Sequence, residues 1–395
     1  MESLFSARIK KVPRSFIREI LKVSLDPEII SFAGGIPNPA LFPLKELEAA
    51  TAKVFAEKGA AALQYSNSEG VLALREQVAA RYLHTHGFQI PVENILITCG
   101  SQQALDLLGK SLLDEGDRVL IEEPGYLGAI QSLSLFQPQF VPVPLAGDGV
   151  DTRAMAARLA EGAAKMFYCV PTFQNPSGLS YTESVVREVA DLARKNNFLI
   201  VEDSPYGELR FRGERAPSFY QFLPEQTVLM GTFSKSVTPG FRIGWVVAPP
   251  VLQEKLLIAK QAADLHTSNF TQMILAQYLE DNDLDKHIEK IVKLYGKNCL
   301  MMEQVLAECF PAEVHFTKPD GGMFLWGELP EGMESMALFD YCLAEKVVFV
   351  PGEPFYTNNN PTRSFRLSFS CVNEASIREG IGRFVRGYNA YAASL

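Results

Sequence analysis

The sequence lacks the patterns that mark several large classes of protein. Its six cysteines show no paired spacing and its five histidines form no HExxH motif, so no metal centre is predicted. The longest uncharged run, 124–147, contains four prolines and three glutamines, which excludes a membrane-spanning helix there. The first ten residues include an early glutamate and no apolar segment. We therefore expect that the chain carries no signal peptide, that its cysteines are reduced and that it is located in the cytoplasm.

Positive charge is also in short supply. The chain has 37 lysines and arginines against 46 aspartates and glutamates, which gives a formal net charge of −9. A basic surface is the electrostatic footprint of proteins that bind nucleic acid or anionic membranes, so we expect neither partner. With 47% hydrophobic and 21% charged residues, the composition is that of a globular protein with a large core.

Strand-like and helix-like segments alternate through the middle of the chain. Short apolar runs that predict strands lie at 95–99, 118–121, 140–143, 166–170, 198–201, 228–231 and 243–247. The segments between them, such as 102–113 and 182–196, carry apolar residues at helical spacing. This alternation predicts an α/β fold in which a mostly parallel sheet is covered by helices on both faces.

The length of 395 residues and the later change of pattern predict more than one domain. The pattern is helical from 250 to 310, with a break expected at 281–285. Beyond 312, short strands and helices predict a smaller α+β domain. A short amphipathic segment at 15–24 predicts an N-terminal helix, followed by a loop broken by glycine and proline at 29–39. The predicted parts are an N-terminal helix and substrate loop (1–45), a large domain (46–282) and a small domain (283–395).

The stretch 232–245 follows an apolar run and contains one lysine, Lys235, among small hydroxyl residues. A lysine just past a buried strand can sit in a dry pocket, where desolvation lowers its pKa and frees the amine to attack a carbonyl. The hydroxyls of Thr232 and Ser234 and the guanidinium of Arg242 supply what an anionic ester group needs. A surface loop with a solvated lysine would show the same pattern in isolation.

Four other predicted strands also end in residues that suit a ligand, and in parallel sheets ligands gather at that edge. Ser101 begins a predicted helix, whose N-terminus attracts phosphate, although it could equally be an ordinary helix cap. Tyr126 could stack on a planar cofactor or simply pack in its loop. Asn175 lies in a turn and could donate to a phenolate oxygen. Asp203 could meet a pyridinium nitrogen, with Tyr206 reaching the same ring, or could be a satisfied cap.

Together these strand ends match the functional groups of pyridoxal phosphate. The motifs are Cys-Gly-Ser-Gln-Gln-Ala at 99–104, Glu-Glu-Pro-Gly-Tyr at 122–126, Asn-Pro-Ser-Gly at 175–178, Glu-Asp-Ser-Pro-Tyr at 202–206, and Ser-Lys within 232–245. The chain resembles the fold-type I, class I aminotransferases of the aspartate aminotransferase superfamily, and most of all the branch of 2-aminoadipate and kynurenine aminotransferases. The resemblance extends from Arg18 to the final helix.

The resemblance implies a role for each of these residues. Lys235 would form a Schiff base with pyridoxal phosphate and later move the substrate proton, while Asp203 would pair with the ring nitrogen. Tyr206 and Asn175 would bind the ring oxygen, and Tyr126 would stack on the ring. The phosphate would be held by Ser101, Gln102, Thr232, Ser234 and Arg242.

The same resemblance implies how substrate is bound and how subunits assemble. Arg366 would bind the substrate α-carboxylate, since its planar fork suits a carboxylate bidentately. Gly35 and Asn175 would also contact substrate. Tyr65 matches a tyrosine that reaches the phosphate of a neighbouring subunit, which implies a homodimer with shared active sites. Arg18 would either pair with a distal carboxylate of the substrate or remain solvated.

The expected reaction is transfer of the amino group of an L-amino acid to 2-oxoglutarate. Apolar neighbours such as Ile36, Phe270 and Phe324 would admit 2-aminoadipate, aromatic, branched or kynurenine side chains, so broad specificity is expected. Because the cofactor residues do not choose the bond that breaks, β-elimination or decarboxylation on the same scaffold remains an alternative. A ligand-sensing domain of a transcription regulator is a second alternative, although no basic DNA-binding head is seen in the sequence.

Overall fold

The computed structural model describes residues 4–10, 12, 20, 26–358 and 360–395. The predicted N-terminal helix at 15–24, apart from Ile20, and the candidate Arg18 lie outside these residues. The α-helices of the described part span Ala7–Lys10, Leu44–Lys58, Leu72–His86, Ser101–Leu112, Leu127–Ser134, Thr152–Ala160, Glu183–Asn196, Pro250–Asp264, Asn269–Asp281, Leu284–Cys309, Ser335–Ala344 and Glu374–Ala392. Short 3-10 helices lie at Pro39–Leu41, Gly59–Leu63, Val92–Asn94, Phe219–Gln221, Pro224–Gln226 and Glu353–Phe355.

The strands of the same residues are numbered in chain order. They are β1 (Ile30–Ser31), β2 (Ile95–Thr98), β3 (Arg118–Glu123), β4 (Gln139–Ala146), β5 (Gly149–Val150), β6 (Met166–Cys169), β7 (Leu199–Asp203), β8 (Thr227–Thr232), β9 (Gly244–Val247), β10 (His315–Phe316), β11 (Phe324–Glu328), β12 (Val347–Val348), β13 (Val350–Pro351) and β14 (Ser364–Ser368). Each of the seven apolar runs in the middle of the chain is a strand, as predicted.

Eight of these strands form one large sheet in the order β2-β9-β8-β7-β6-β3-β4-β5. Neighbours from β8 through β4 are parallel, whereas β9 runs antiparallel to both β2 and β8, and β5 runs antiparallel to β4. The prediction of a mostly parallel sheet is therefore confirmed. The parallel strands all end at one edge, and this edge carries the predicted ligand-binding residues.

Alternate residues of a strand enter different hydrophobic cores on the two faces of the sheet. On β3, Val119 and Ile121 belong to one core, while Leu120 between them packs into another. Successive side chains of a strand point to opposite faces, and here both faces are covered by helices, so both sets are buried. This arrangement accounts for the continuous apolar runs in the sequence.

The helical region after the sheet differs from the prediction in one place. Besides the expected break, now placed between Asp281 and Leu284, the chain also leaves helical geometry at 265–268. Leu265 there has a left-handed backbone with φ of +67°, which a helix cannot continue through. The predicted domain boundaries at 45/46 and 282/283 remain predictions.

A four-stranded antiparallel sheet, in the order β10-β11-β14-β13, forms the centre of the predicted small domain. Helices Ser335–Ala344 and Glu374–Ala392 contribute side chains to the same core as β14. The segment predicted as a loop at 29–39 contains a short strand, β1, which pairs in parallel with β12. Its pairing draws the N-terminal segment onto the C-terminal part of the chain.

No helix among the described residues is both long enough and apolar enough to cross a membrane. No cluster of three or more histidine, cysteine, aspartate or glutamate side chains there could hold a metal ion.

Candidate active site

A cavity of about 290 Å³ lies at the carboxyl edge of the large sheet and extends to Arg366 of β14. It is lined by Gly35, Ile36, Ser101, Gln102, Tyr126, Leu127, Val170, Asn175, Asp203, Pro205, Tyr206, Thr232, Ser234, Lys235, Pro239, Arg242 and Arg366. The structure therefore brings together every predicted site residue except Tyr65 and Arg18. Arg18 is outside the described part of the chain.

Lys235 lies three residues beyond the end of β8 and enters the cavity. Its Nζ atom donates to the carbonyl oxygen of Gly35 at 2.9 Å and lies 6.0 Å from the centre of the Tyr206 ring. Burial lowers the pKa of this amine to about 8, and the positive charges of Arg366 and Arg242 act in the same direction. A much larger fraction of the amine is thus neutral, and nucleophilic, near neutral pH than for an exposed lysine.

Asp203 ends β7 and is only 2% exposed. Its Oδ2 atom accepts a hydrogen bond from the Tyr168 hydroxyl at 2.8 Å, whereas Oδ1 is buried and has no partner among the described residues. Burial raises the pKa of the carboxyl to about 7, against the hydrogen bond from Tyr168, which lowers it. An unpaired buried acceptor of this kind is costly unless a ligand supplies the donor, and a cationic N–H group is the best match.

The opposite end of the cavity is built to receive an anion. Helix Ser101–Leu112 begins there, and its N-cap is Gly100, with no side-chain cap. The alternative that Ser101 is an ordinary cap is therefore wrong: it is the first helical residue, and its Oγ atom is buried without a partner among the described residues. Orphan N–H groups and the helix dipole at this end favour negative charge.

Three further polar residues surround this helix start. Ser234 Oγ lies 2.9 Å from Thr232 Oγ1, so the two hydroxyls sit side by side at the end of β8. Arg242 reaches over from the following loop and donates to the carbonyl oxygens of Cys99, at 3.3 Å, and of Pro239, at 3.4 Å. It takes part in no ion pair within the described ranges, so its charge is available to a ligand.

Arg366 is a buried cation at the other side of the cavity, 2% exposed. Its Nη1 atom donates to Asn175 Oδ1 at 2.7 Å and its Nη2 atom to the carbonyl of Ala33 at 2.8 Å. The guanidinium carbon lies 4.2 Å from the centre of the Phe324 ring and 5.2 Å from that of Phe355. Burial lowers the pKa of this group to about 10.

No carboxylate balances the charge of Arg366 among the residues that the structure describes, and its Nε atom is buried without a partner. A buried charge with neutral partners alone is unfavourable. A ligand carboxylate would supply the missing countercharge, and guanidinium geometry suits it bidentately. This is the strongest indication of substrate chemistry in the cavity.

Two aromatic hydroxyls complete the walls. The Tyr206 hydroxyl accepts from Asn175 Nδ2 at 3.4 Å, and burial raises the pKa of Tyr206 well above its usual value. The Tyr126 ring lies directly over Gly128, since a Cβ atom on Gly128 would come within 2.5 Å of Tyr126 Cζ. The glycine thus makes room for the ring at the cavity wall.

Tyr65 is the predicted site residue that the structure places elsewhere. It is 79% exposed and contacts the His266 ring edge-on at 5.8 Å, outside the cavity of its own subunit. Phe270 also differs from expectation: it packs against Phe55, with ring centres 5.0 Å apart, and does not border the cavity. Phe324 supports the Arg366 guanidinium rather than lining the cavity.

Several functional contacts were not foreseen. Tyr168 holds Asp203, Phe355 lies against Arg366, and the Ala33 carbonyl fixes the guanidinium. Tyr168 lies opposite Val201 in the β6–β7 register, two positions before Asp203 on the neighbouring strand. A prediction of the strand order together with the register would have been enough to place it, because residues two apart share a face.

Comparison with known proteins identifies the relatives of this chain. The family model described as aminotransferase class I and II matches residues 28–384. The chain belongs to this family. It is 40% identical to aromatic-amino-acid aminotransferase 1 of Thermococcus litoralis, over 97% of this chain and 93% of the relative.

Solved structures agree with the sequence relatives. The multiple substrate aminotransferase of Thermococcus profundus superposes with a TM-score of 0.95 at 38% identity, covering 100% of this chain and 99% of that one. The α-aminoadipate aminotransferase of Thermus thermophilus, solved with N-(5'-phosphopyridoxyl)-L-leucine, gives 0.93 at 38% identity, covering 100% and 99%. The predicted fold and the predicted branch of the family are both confirmed.

The protein is a pyridoxal-phosphate-dependent aminotransferase, and its substrates are amino acids and 2-oxo acids. The described residues fit the cofactor. Asp203 Oδ1 is an unpaired acceptor for a ring N–H, Ser101 Oγ is an unpaired hydroxyl at the helix start, and Lys235 presents an amine of lowered pKa to the same cavity.

Proposed function

We propose that this aminotransferase moves the amino group of several kinds of L-amino acid to 2-oxoglutarate. The observation that carries the proposal is Arg366, a buried guanidinium with no countercharge among the described residues, which lines the same cavity as Lys235. Both substrates carry an α-carboxylate, so one arginine can bind the donor and the acceptor in turn.

The cofactor residues divide the remaining work. Bound pyridoxal phosphate supplies the electron sink that takes up charge from the substrate Cα atom. Asp203 would hold the proton on the ring nitrogen, and the hydrogen bond from Tyr168 fixes the carboxyl for that purpose. Lys235 would anchor the cofactor covalently, and its amine, when free, would take the proton from the substrate Cα atom and deliver it to the cofactor carbon C4′. Its lowered pKa suits this exchange because the amine is easily deprotonated.

The other predicted residues position the cofactor. Ser101, Gln102, Thr232, Ser234 and Arg242 would hold the phosphate at the start of helix Ser101–Leu112. Tyr206 and Asn175 would bind the ring oxygen, and Tyr126 would cover one face of the ring. Asn175 links Tyr206 to Arg366, because its Nδ2 atom donates to the Tyr206 hydroxyl and its Oδ1 atom accepts from Arg366.

The substrate side chain is bounded mainly by apolar groups. Ile36 and Leu127 line the cavity, and Gly35 leaves space next to Arg366. Arg18 could pair with a distal carboxylate, which would favour 2-aminoadipate or glutamate. Relatives of this chain are named for aromatic amino acids, α-aminoadipate and multiple substrates. We therefore propose broad specificity for 2-aminoadipate, aromatic and branched-chain donors.

We also propose a homodimer, located in the cytoplasm, in which Tyr65 of each subunit reaches the phosphate site of the other. The support is the exposure of Tyr65, 79%, at a position outside its own cavity. A second copy of the chain would cover this aromatic side chain.

A panel of amino donors with 2-oxoglutarate tests the activity and its breadth. The expected products are the matching 2-oxo acids and glutamate in equal amounts, with no net ammonia or carbon dioxide. Release of either would favour elimination or decarboxylation, and one strongly preferred donor would contradict broad specificity. Lys235→Ala should lose both turnover and the visible absorbance of the bound cofactor. If both persisted, the assignment of Lys235 would be wrong.

A further inference from the structure

Glu122 is a buried carboxyl that the reaction described above does not use. It lies on β3 and is 1% exposed. All of its hydrogen-bond donors come from the segment 170–181: the backbone N–H of Val170 lies 3.2 Å from each oxygen, Gln174 Nε2 lies 3.1 Å from Oε2, and the Tyr181 hydroxyl lies 2.7 Å from Oε1. No cation pairs with it among the residues described.

The direction of these hydrogen bonds is fixed by the backbone. Gln174 Oε1 accepts from the Ser177 backbone N–H at 2.8 Å, and a backbone amide can only donate. The amide nitrogen of Gln174 must therefore face the other way, where it donates to Glu122 and to the Pro124 carbonyl at 2.8 Å. Glu122 is thus one of two acceptors that hold the Gln174 amide group, and the only side chain of the two.

Gln174 precedes Asn175, which contacts both Tyr206 and Arg366 in the active site. Gln174 closes the turn around Asn175, since its carbonyl accepts from the Gly178 N–H at 2.6 Å and its own N–H donates to the Leu179 carbonyl at 2.8 Å. Asn175 Oδ1 then accepts from Arg366 at 2.7 Å. A continuous chain of hydrogen bonds and one peptide bond therefore leads from Glu122 to Arg366.

We propose that Glu122 is a positioning residue for the substrate carboxylate, acting through Gln174 and Asn175 on Arg366. The proposal rests on the proposed role of Arg366 in binding that carboxylate. Burial raises the pKa of Glu122 to about 7, so the site keeps this acid at an electrostatic cost. A purely structural acid would explain the burial, but not why all three donors lie on the segment that carries Asn175.

The test measures carboxylate binding in the holoenzyme, separately from turnover. The probe is 3-phenylpropionate, a non-reacting carboxylate that lacks the amino group, and its Kd is measured by calorimetry. We expect Glu122→Leu to raise this Kd, and the KM of the amino donor, by about 10-fold, with a smaller change in kcat. Glu122→Gln should stay within about 3-fold, because its amide oxygen can accept from Gln174 while its NH₂ faces the Tyr181 hydroxyl.

Glu202→Leu is the matched control. Glu202 is also buried, burial raises its pKa to about 7, and it accepts from the Ser218 hydroxyl and the Phe219 N–H, both at 2.8 Å. Those partners lie outside the cavity lining, so Glu202→Leu should lose stability and leave the Kd of the probe unchanged. An equal loss of binding in this variant would mean that any buried carboxyl matters, and would overturn the proposal.

A double-mutant cycle tests the route. Asn175→Ala should weaken the probe by about 10-fold, and adding Glu122→Leu should cost no more than about 2-fold further. A full second loss would show that Glu122 does not act through Asn175. An unchanged Kd in Glu122→Leu, or an equal loss in Glu122→Gln, would also overturn the proposal.

Two more variants keep the outcome decisive. If Glu122→Leu fails to fold, Gln174→Met carries the same expectation, because it cannot bridge Glu122 and Ser177. Arg366→Lys tests the underlying assignment: it should weaken the probe by about 10-fold or more, since an ammonium cannot bind a carboxylate bidentately. Normal binding in Arg366→Lys would mean that the carboxylate binds elsewhere. The proposed role of Arg366 would then be wrong, and this outcome is distinct from a failure of the positioning by Glu122.

Discussion

Gly100 offers the sharpest test of the anion end of the active site. It joins β2 to helix Ser101–Leu112 with a backbone φ of +74°, and a Cβ atom there would lie 2.5 Å from Arg242 Nη2 and 3.1 Å from Cζ. Since ordinary carbon contacts are about 3.5–4.0 Å, Gly100→Ala must displace the guanidinium by roughly 1 Å. The substitution therefore strains the backbone and moves a proposed phosphate ligand together.

The two effects have separate magnitudes. Placing an alanine at the Gly100 backbone angles, φ +74° and ψ 171°, costs about 1–3 kcal/mol of folding stability because this region is essentially restricted to glycine. Loss of one hydrogen bond to a charged group costs about 1.5–3 kcal/mol of binding, and 1.4 kcal/mol corresponds to a factor of ten. We therefore expect the Kd of pyridoxal phosphate to rise by about 10- to 150-fold in Gly100→Ala.

The assay is titration of the cofactor into cofactor-free enzyme, followed by visible absorbance. Gly116→Ala is the control, because Gly116 has a similar φ of +88° with nothing within 4 Å of the added Cβ atom. It should lose thermal stability, because its φ is also positive, and keep its affinity for the cofactor. In an Arg242→Ala background, Gly100→Ala should have little further effect on the Kd. A Kd in Gly100→Ala within about twofold of the wild-type value would refute the reasoning.

Three other predictions concern a hydrogen bond, a pH dependence and the subunit arrangement. Tyr168→Phe removes the hydrogen bond that lowers the pKa of Asp203. The pKa of Asp203 should therefore rise, and kcat should fall by about 10-fold, as measured by a kcat–pH profile. An unchanged profile would contradict the role of Tyr168 in holding Asp203. Burial raises the pKa of Glu202 to about 7 in the folded protein, against 4.5 in the unfolded chain. The wild type should therefore lose stability relative to Glu202→Gln as pH rises from 4.5 to 7, as measured by thermal unfolding. A stability difference between the two proteins that does not change with pH would contradict the burial argument. Mixing Tyr65→Ala with Lys235→Ala subunits should restore activity through hybrid dimers with one intact site, and recovery should be absent if Tyr65 serves its own subunit.

The sequence predicted the residues at strand ends far better than the contacts between them. Lys235 and Asp203 were predictable because apolar runs mark the strands, and the carboxyl ends of parallel strands meet at one edge. The bond from Tyr168 to Asp203 depends on which strands are neighbours and in what register, which periodicity does not reveal. The helical pattern of the sequence continues through 265–268, so the break there, where a leucine adopts the left-handed conformation, was not predicted.

The contacts of Arg366 were out of reach for a related reason. Ala33 binds it through a backbone carbonyl, which any residue could supply, so no side chain in the sequence marks the position. Phe355 comes from a short 3-10 helix with no strong periodic signal. Phe270 was placed wrongly because an apolar residue in an amphipathic helix can face its own core, here Phe55, as readily as a ligand.

The segment 33–36 is held almost entirely through its backbone. Arg366 donates to the carbonyl of Ala33, Lys235 to that of Gly35, and the Ser370 hydroxyl to that of Ile36 at 2.8 Å. The anchors therefore do not depend on the side chain at position 36, which lines the cavity and is 51% exposed. A saturation library at position 36 should therefore change the donor preference while Lys235 and Arg366 keep their backbone partners. Under the proposed function, donor preference would then be adjustable separately from the chemistry of the lysine.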